Sequence, residues 1–305
     1  MSQSLLNKSL LAVALASSLA VSAHAQTQTP LGTLTGSGAV AYESQYVFRG
    51  KKIADSSIQP RGEIGLMPAS LSSVNIYVGA WSNQPISRRT GGVGPDQSDE
   101  IDIYGGAFID LPGASNTNKL SLDFGDIYYW YPEAGGASLP NNFGSHVSRS
   151  DEAYAGLVWS LVAPWINTAD NPLKLSAYYY HDFILSSDTV ELMAKTSWNL
   201  NGLVGITNFT LEPHLSAGWT TATKAWGDQL PAGAANWHNG YKYWSAGIEL
   251  AYKLSDSSFL FGDLNYAGND DGKNGVPTFL GAGSSPQLGG TPNSVWFGAG
   301  LKFSK

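Results

Sequence analysis

The stretch Phe209-Thr210-Leu211-Glu212-Pro213-His214-Leu215-Ser216-Ala217-Gly218-Trp219 sorts into two sets by position. Phe209, Leu211, Pro213, Leu215, Ala217 and Trp219 form one; Thr210, Glu212, His214, Ser216 and Gly218 form the other. Successive side chains of a β-strand point to opposite faces, so the segment reads as a strand with one apolar and one polar face. The same division follows from Tyr243. Trp244, Ala246, Ile248, Leu250, Tyr252 and Leu254 oppose Tyr243, Ser245, Gly247, Glu249, Ala251 and Lys253. Upstream, Val190, Leu192, Ala194, Thr196 and Trp198 oppose Glu191, Met193, Lys195 and Ser197.

Outward from these segments the chain reads as about twelve strands, at 37–48, 57–66, 73–82, 100–110, 119–131, 151–162, 172–184, 188–199, 206–220, 241–254, 257–267 and 293–303. No run approaches the ~20 apolar residues of a membrane helix, and no stretch keeps a 3.6-residue apolar period. A composition of 35 Gly, 15 Tyr, 10 Trp and 11 Phe with only 13% charged residues suits strands. The chain has no cysteine, which excludes thiol catalysis and Cys-based metal sites. Acids outnumber bases, 24 to 17, which argues against nucleic acid as a partner.

A soluble sandwich shows the same alternation with its apolar face turned inward. Four features select a membrane barrel instead. Many segments reach the length a tilted strand needs to cross a bilayer. Connections alternate between short (67–72, 111–118, 163–171, 200–205, 255–256) and long (83–99, 132–150, 221–240, 268–292), the pattern of periplasmic turns and extracellular loops. Aromatics crowd the strand ends: Tyr46, Phe48, Tyr128 to Tyr131, Tyr178 to Tyr180, Trp219, Tyr241, Tyr243 and Trp244 at one rim, Trp165, Trp198, Phe209, Tyr252 and Phe303 at the other. Finally, the chain ends on a strand in which Val295, Phe297, Ala299, Leu301 and Phe303 share a face, as an assembly signal for the barrel-insertion machinery would. The expectation is an all-β, transmembrane antiparallel β-barrel. Residues 1–25 read as a signal peptide, with Lys8, an apolar run over 10–21 and Ala23-His24-Ala25 before the cleavage point. Residues 26–36 read as a short periplasmic segment and 37–305 as the barrel, placed in a Gram-negative outer membrane.

Several segments resemble the TorF-type porins. They are Tyr42-Glu43-Ser44-Gln45-Tyr46-Val47-Phe48-Arg49-Gly50, the run from Val74 to Asn83, Glu100 to Gly106, Ile127 to Pro132, and Asp151 to Leu157. The resemblance covers mainly residues 40–160. After Arg49-Gly50 that family has an aliphatic residue and Ser where this chain has Lys51-Lys52-Ile53, which makes the first loop more basic. The resemblance implies an outer-membrane barrel acting as a porin and gives no substrate.

If the apolar parity faces lipid, the other parity lines the lumen. That set holds Glu43, Arg49, Arg61, Glu63, Asp102, Asp110, Asp123, Glu152, Lys174, Asp182, Glu191, Lys195, Glu212, His214, Glu249, Lys253, Asp263 and Lys302. A basic residue facing lipid at midplane costs about 2–4 kcal/mol, which explains why strand charges share one face. Asp126 breaks the rule; a bulge at Gly125-Asp126 or a hydrated place near the rim would accommodate it. Twelve strands give a backbone radius of about 12 Å, so the charges either line a narrow wet channel or pair across it. The lumen glycines Gly79, Gly106, Gly156, Gly218, Gly247, Gly298 and Gly300 mark either open space or close packing.

The chemistry expected is not enzymatic, with no cofactor and no metal. His146-Val147-Ser148 has the spacing of a lipid hydrolase pair but no evident orienting group. Glu212 with His214 reads as ordinary lumen hydrogen bonding, and 269–275 as a polar turn lacking the bidentate Glu of a calcium loop. The leading expectation is a passive channel for ions or small hydrophilic solutes, mildly cation-preferring from its acidic excess. The alternative is a closed barrel whose outer loops bind a partner. Outer-membrane lipid, small solutes and further copies of the chain are the expected partners.

Overall fold

The computed structural model describes residues 27–86, 99–115, 117–130, 149–162, 172–183, 187–221, 241–270 and 293–304. In chain order the strands are β1 (Thr27–Thr29), β2 (Gly32–Glu43), β3 (Tyr46–Phe48), β4 (Lys51–Ala54), β5 (Ser57–Pro68), β6 (Val74–Pro85), β7 (Glu100–Asp110), β8 (Asn118–Trp130), β9 (Arg149–Leu161), β10 (Leu173–Asp182), β11 (Ser187–Lys195), β12 (Trp198–Asn199), β13 (Phe209–Thr220), β14 (Tyr241–Ser255), β15 (Ser258–Asn269) and β16 (Asn293–Ser304). Among the described residues one short helix, α1 (Leu200–Val204), fills the turn before β13, capped by the Asn199 side chain and by Gly205 at φ 73°.

Twelve strands, β2, β5 to β11 and β13 to β16, pair antiparallel with their chain neighbours, and β16 pairs β2 to close the cylinder. Closure pairs Gly298–Ser304 of β16 with Ser37–Glu43 of β2 and so removes the free edge over that stretch, as a strand assembly in hydrocarbon requires. β1 folds back on the start of β2 (Thr27↔Leu34), continuing the seam beyond Ser304↔Ser37 where β16 stops.

The alternation has the sense the sequence suggests. Every one of the twelve strands shows at least one large apolar side chain on the outside, among them Val78 at 56%, Leu192 at 57%, Leu264 at 53% and Phe297 at 55% exposure. Among the described residues the inside holds a small buried apolar cluster, Ala39, Ala41, Ala251 and Phe261 with Phe259 beside it. Apolar outside and polar inside inverts a soluble protein, and lipid is the solvent that stabilises it. The fold is a closed transmembrane barrel.

Four details depart from the sequence reading. The first wall strand starts at Gly32, not 37, so residues 32–36 belong to the barrel, and it leaves the wall after Glu43. The register runs unbroken through Gly125-Asp126 (Gly105↔Asp126, Asp126↔Ala153), so no bulge turns Asp126 inward. It stays on the outer face beside Asp151, near the rim that bears the long connections. The outer aromatic girdle is thinner than expected, because consecutive residues of a strand face opposite ways; Tyr131 lies outside the described residues. Tyr128 and Trp130 point outward, whereas Tyr129 between them is buried inside. The eighth segment also breaks at Thr196-Ser197 between β11 and β12.

Leu192→Arg places a guanidinium mid-strand on the outer face. It is expected to lower barrel stability by about 2–4 kcal/mol, read by denaturant titration of the refolded protein in lipid vesicles. Unchanged stability would remove the lipid-facing assignment of β11.

Candidate functional site

The site begins where β2 ends. After Glu43 the chain bends inward and forms the hairpin β3–β4, a separate two-stranded sheet. Its tip is a two-residue turn, Phe48↔Lys51, with Arg49 at φ 46° and Gly50 at φ 73°. Two successive positive φ values suit the twist of a tight hairpin, and glycine adopts them without cost. Gly50 is needed for a second reason. A Cβ there would lie 2.4 Å from Gly268 O and 2.6 Å from Tyr243 Cβ, so the tip touches the wall of β14 and β15.

The hairpin therefore crosses the lumen. Tyr46 packs on Trp81 with ring centroids 5.3 Å apart, and Phe48 meets Tyr129 edge-on at 6.5 Å. Arg49 forms a bidentate pair with Glu152 of β9, Nη1 to Oε2 at 3.0 Å and Nη2 to Oε1 at 2.8 Å. Tyr129 Oη donates to the same Oε1 at 3.2 Å. The guanidinium also lies 4.8 Å from the Phe48 ring centroid and 5.0 Å from that of Tyr180. On the opposite wall Asn269 Nδ2 donates to Gly50 O at 2.8 Å. The pair is largely withdrawn from solvent, with side-chain exposures of 12% for Arg49 and 3% for Glu152.

Tyr77, Tyr104, Tyr154, Tyr178 and Tyr243 fill the middle of the barrel, each directly opposite a glycine on a neighbouring strand. The cross-strand pairs are Tyr77↔Gly106, Gly79↔Tyr104, Gly125↔Tyr154, Tyr178↔Gly156 and Gly218↔Tyr243. A Cβ added at Gly79, Gly156 or Gly218 would fall 2.3 Å from an atom of its partner's ring. The rings lie across the glycines, so the lumen glycines mark packing, not open space. Asp123 anchors the group, accepting from Tyr77 Oη at 2.5 Å and Tyr178 Oη at 2.6 Å, and Tyr154 Oη bonds to Tyr77 Oη.

The sequence-derived charges fall into small groups on this inner surface. Arg49 and Glu152 meet at the hairpin tip, with Asp102 facing Glu152. Glu43 and Asp263 converge over Gly298, near Arg61. Glu63 lies beside Tyr104. Glu191 accepts from Tyr243 Oη at 2.6 Å. Near the rim of short turns, Lys302 bridges Glu212 at 3.2 Å and Glu249, while Lys195 holds the other oxygen of Glu212 at 3.1 Å. Lys174 faces Lys195 and Lys119. His214 Nε2 is 3.1 Å from Asn265 Oδ1 and has no contact with Glu212 among the described hydrogen bonds. Asp110 pairs with Lys119 at 2.7 Å, and Ser150 donates to Asp182 at 2.5 Å. Lys253 pairs with Asp256 at 2.8 Å in the β14–β15 turn, at the end of the lumen. His146, Ser148 and Trp165 lie outside the described residues. The lumen tyrosines escaped the charge-based reading; a tyrosine on the polar parity of a strand was the signal.

A closed barrel with an apolar girdle and an occupied, polar lumen is a transmembrane β-barrel of the narrow, side-chain-filled kind. Residues 27–241 match the family described as bacterial protein of unknown function (Gcw_chp), and the chain belongs to that family. The match names that family and not the TorF-type porins. No curated protein matches the chain. Among solved structures, the KdgM porin aligns with 10% identity over 88% of this chain and 99% of its own, at a TM-score of 0.43. The NanC porin aligns with 9% identity over 88% and 98%, at 0.44. LpxR from Salmonella typhimurium aligns with 9% identity over 88% and 99%, at 0.43. Likeness of this degree carries no argument about function.

Removing one member of a buried ion pair strands the other, at about 3–5 kcal/mol. Glu152→Ala should therefore release the hairpin while the barrel persists. Limited trypsin digestion of the refolded protein reads this directly. The Arg49–Gly50 bond should be protected in the parent and cut in the variant; equal protection in both would mean that Glu152 does not hold the tip.

Proposed function

We propose that the protein is a porin-like channel of a Gram-negative outer membrane, exported by a leader that ends at Ala25, with its mouth narrowed by the β3–β4 hairpin. The observation that carries this reading is a cavity of about 400 Å³ inside a lipid-girdled barrel, walled by tyrosines and carboxylates. A barrel meant only as a platform for loops has no need of a polar hollow, since apolar side chains could fill its interior. The rim with the long connections faces outward, and the hairpin lies at that end. Lipid contacts the outer girdle, and the closing strand β16 is the segment offered to the assembly machinery.

The expected cation preference is also part of this proposal, but its source shifts. Glu212 and Glu249 are neutralised locally by Lys195 and Lys302 and lend little field to a passing ion. Asp123 and Glu63 line the cavity, and among the described residues none of the side chains lining it is basic. Arg61 stands near Glu63, so Asp123 is the carboxylate that contributes most to a cation preference.

Planar-bilayer recording under a salt gradient tests the reading. The expected result is small discrete steps with a cation-directed reversal potential, rising severalfold in conductance in Arg49→Ala. Asp123→Asn should reduce the selectivity more than Glu249→Gln. A silent bilayer from folded, inserted parent and variant protein would mean a closed barrel and turn attention to its outer loops.

A further inference from the structure

The cavity beneath the hairpin has a chemistry of its own. At about 400 Å³ it sits at the small end of ligand sites, which span about 300–1,000 Å³. Tyr77, Tyr104, Tyr154 and Tyr178 form much of its wall, with Asp123 and Glu63 among them. The rings are fixed in place. Tyr77 and Tyr104 lie 6.5 Å apart by centroid, Tyr154 and Tyr178 6.3 Å apart. The glycines opposite them form their seats, and Asp123 ties two of their hydroxyls together.

Aromatic faces carry a negative quadrupole, and a desolvated cation over such a face gains more than one in water. Asp123 and Glu63 set among the rings add negative charge; no basic side chain lines the cavity itself among the described residues, although Arg61 stands near Glu63. The molecule already uses this wall for a cation of its own, since the Arg49 guanidinium stands 5.0 Å from the Tyr180 centroid at the cavity's upper edge. A bare metal ion fits less well. Ring faces cannot ligate it, and no group of three metal-ligating side chains exists among the described residues. An anion would meet like charge. A neutral sugar could stack on the rings but would leave the carboxylate charge unused.

We propose that this cavity is a binding site for a small organic cation, an amine or quaternary ammonium compound, held by the tyrosine faces and by Asp123 and Glu63. The channel reading above explains only how such a ligand would arrive; binding itself does not require conduction.

Calorimetric titration of the refolded protein in detergent tests this with choline and with 3,3-dimethyl-1-butanol, its neutral carbon isostere. Saturable choline binding is expected, with the isostere at least about tenfold weaker. Asp123→Asn should weaken choline by roughly tenfold and leave the isostere unchanged. Equal affinity for the two ligands, no saturable choline binding, or full choline affinity in Asp123→Asn would each overturn the proposal. Should Asp123→Asn fail to refold, Glu63→Gln lies outside the Asp123 hydrogen bonds and takes its place with the same outcomes. Choline binding by a protein that does not conduct would remove the channel and keep the site. Conduction without choline binding would remove the site alone.

Discussion

Hydrocarbon cannot hydrogen-bond, and the rest of this structure follows from that. Every backbone group in the wall must find a partner within the wall, so twelve strands close on themselves where β16 meets β2. Every second side chain must be apolar, so Leu192, Leu264 and Phe297 stand in the open on the outside. The polar residues have one place left to go. A narrow barrel must then accommodate a crowded, hydrated interior in which charge has to be matched locally.

The chain meets that demand in three ways at three depths. Near the short turns it matches charge with charge, joining Lys195, Lys302, Glu212 and Glu249 in one network. In the middle it lays tyrosine rings over glycines and lets Asp123 accept their hydroxyls. Near the long connections it brings a piece of itself inside, with Arg49 set against Glu152 and Gly50 against the far wall. The hairpin is a separate two-stranded sheet seated across the lumen, whereas the tyrosines and the lower ion network belong to the wall.

Much of this architecture is legible in the sequence. Period-two alternation from Phe209 to Trp219 and from Tyr243 to Leu254 shows which side chains face lipid, because a strand leaves no other choice. The start of the first strand and the inward hairpin are not legible in that way. Alternation continues past Glu43 into Tyr46-Val47-Phe48, so nothing local marks the point where the chain leaves the wall. The reason Gly50 is glycine lies in Gly268 and Tyr243, some two hundred residues away in sequence. Likewise, a lumen glycine looks like empty space until its cross-strand partner is known to be tyrosine, and Glu249 looks like a free acid until Lys302 is seen beside it. What a residue does to its own strand can be read from neighbours; what it does across a lumen cannot.

Every wall strand has an apolar face towards lipid and a polar face towards the lumen, and thiol chemistry probes that difference most directly. The chain has no cysteine, so single variants start from a clean background. Ser216→Cys and Ser245→Cys should react with a charged, membrane-impermeant maleimide in reconstituted vesicles, because these two hydroxyls meet at 2.8 Å inside the barrel. Ala217→Cys and Ala246→Cys, one residue further on, should stay unmodified in lipid. Equal labelling of both sets, or labelling of the alanine positions alone, would contradict the barrel's inside-out arrangement and every functional proposal built on it.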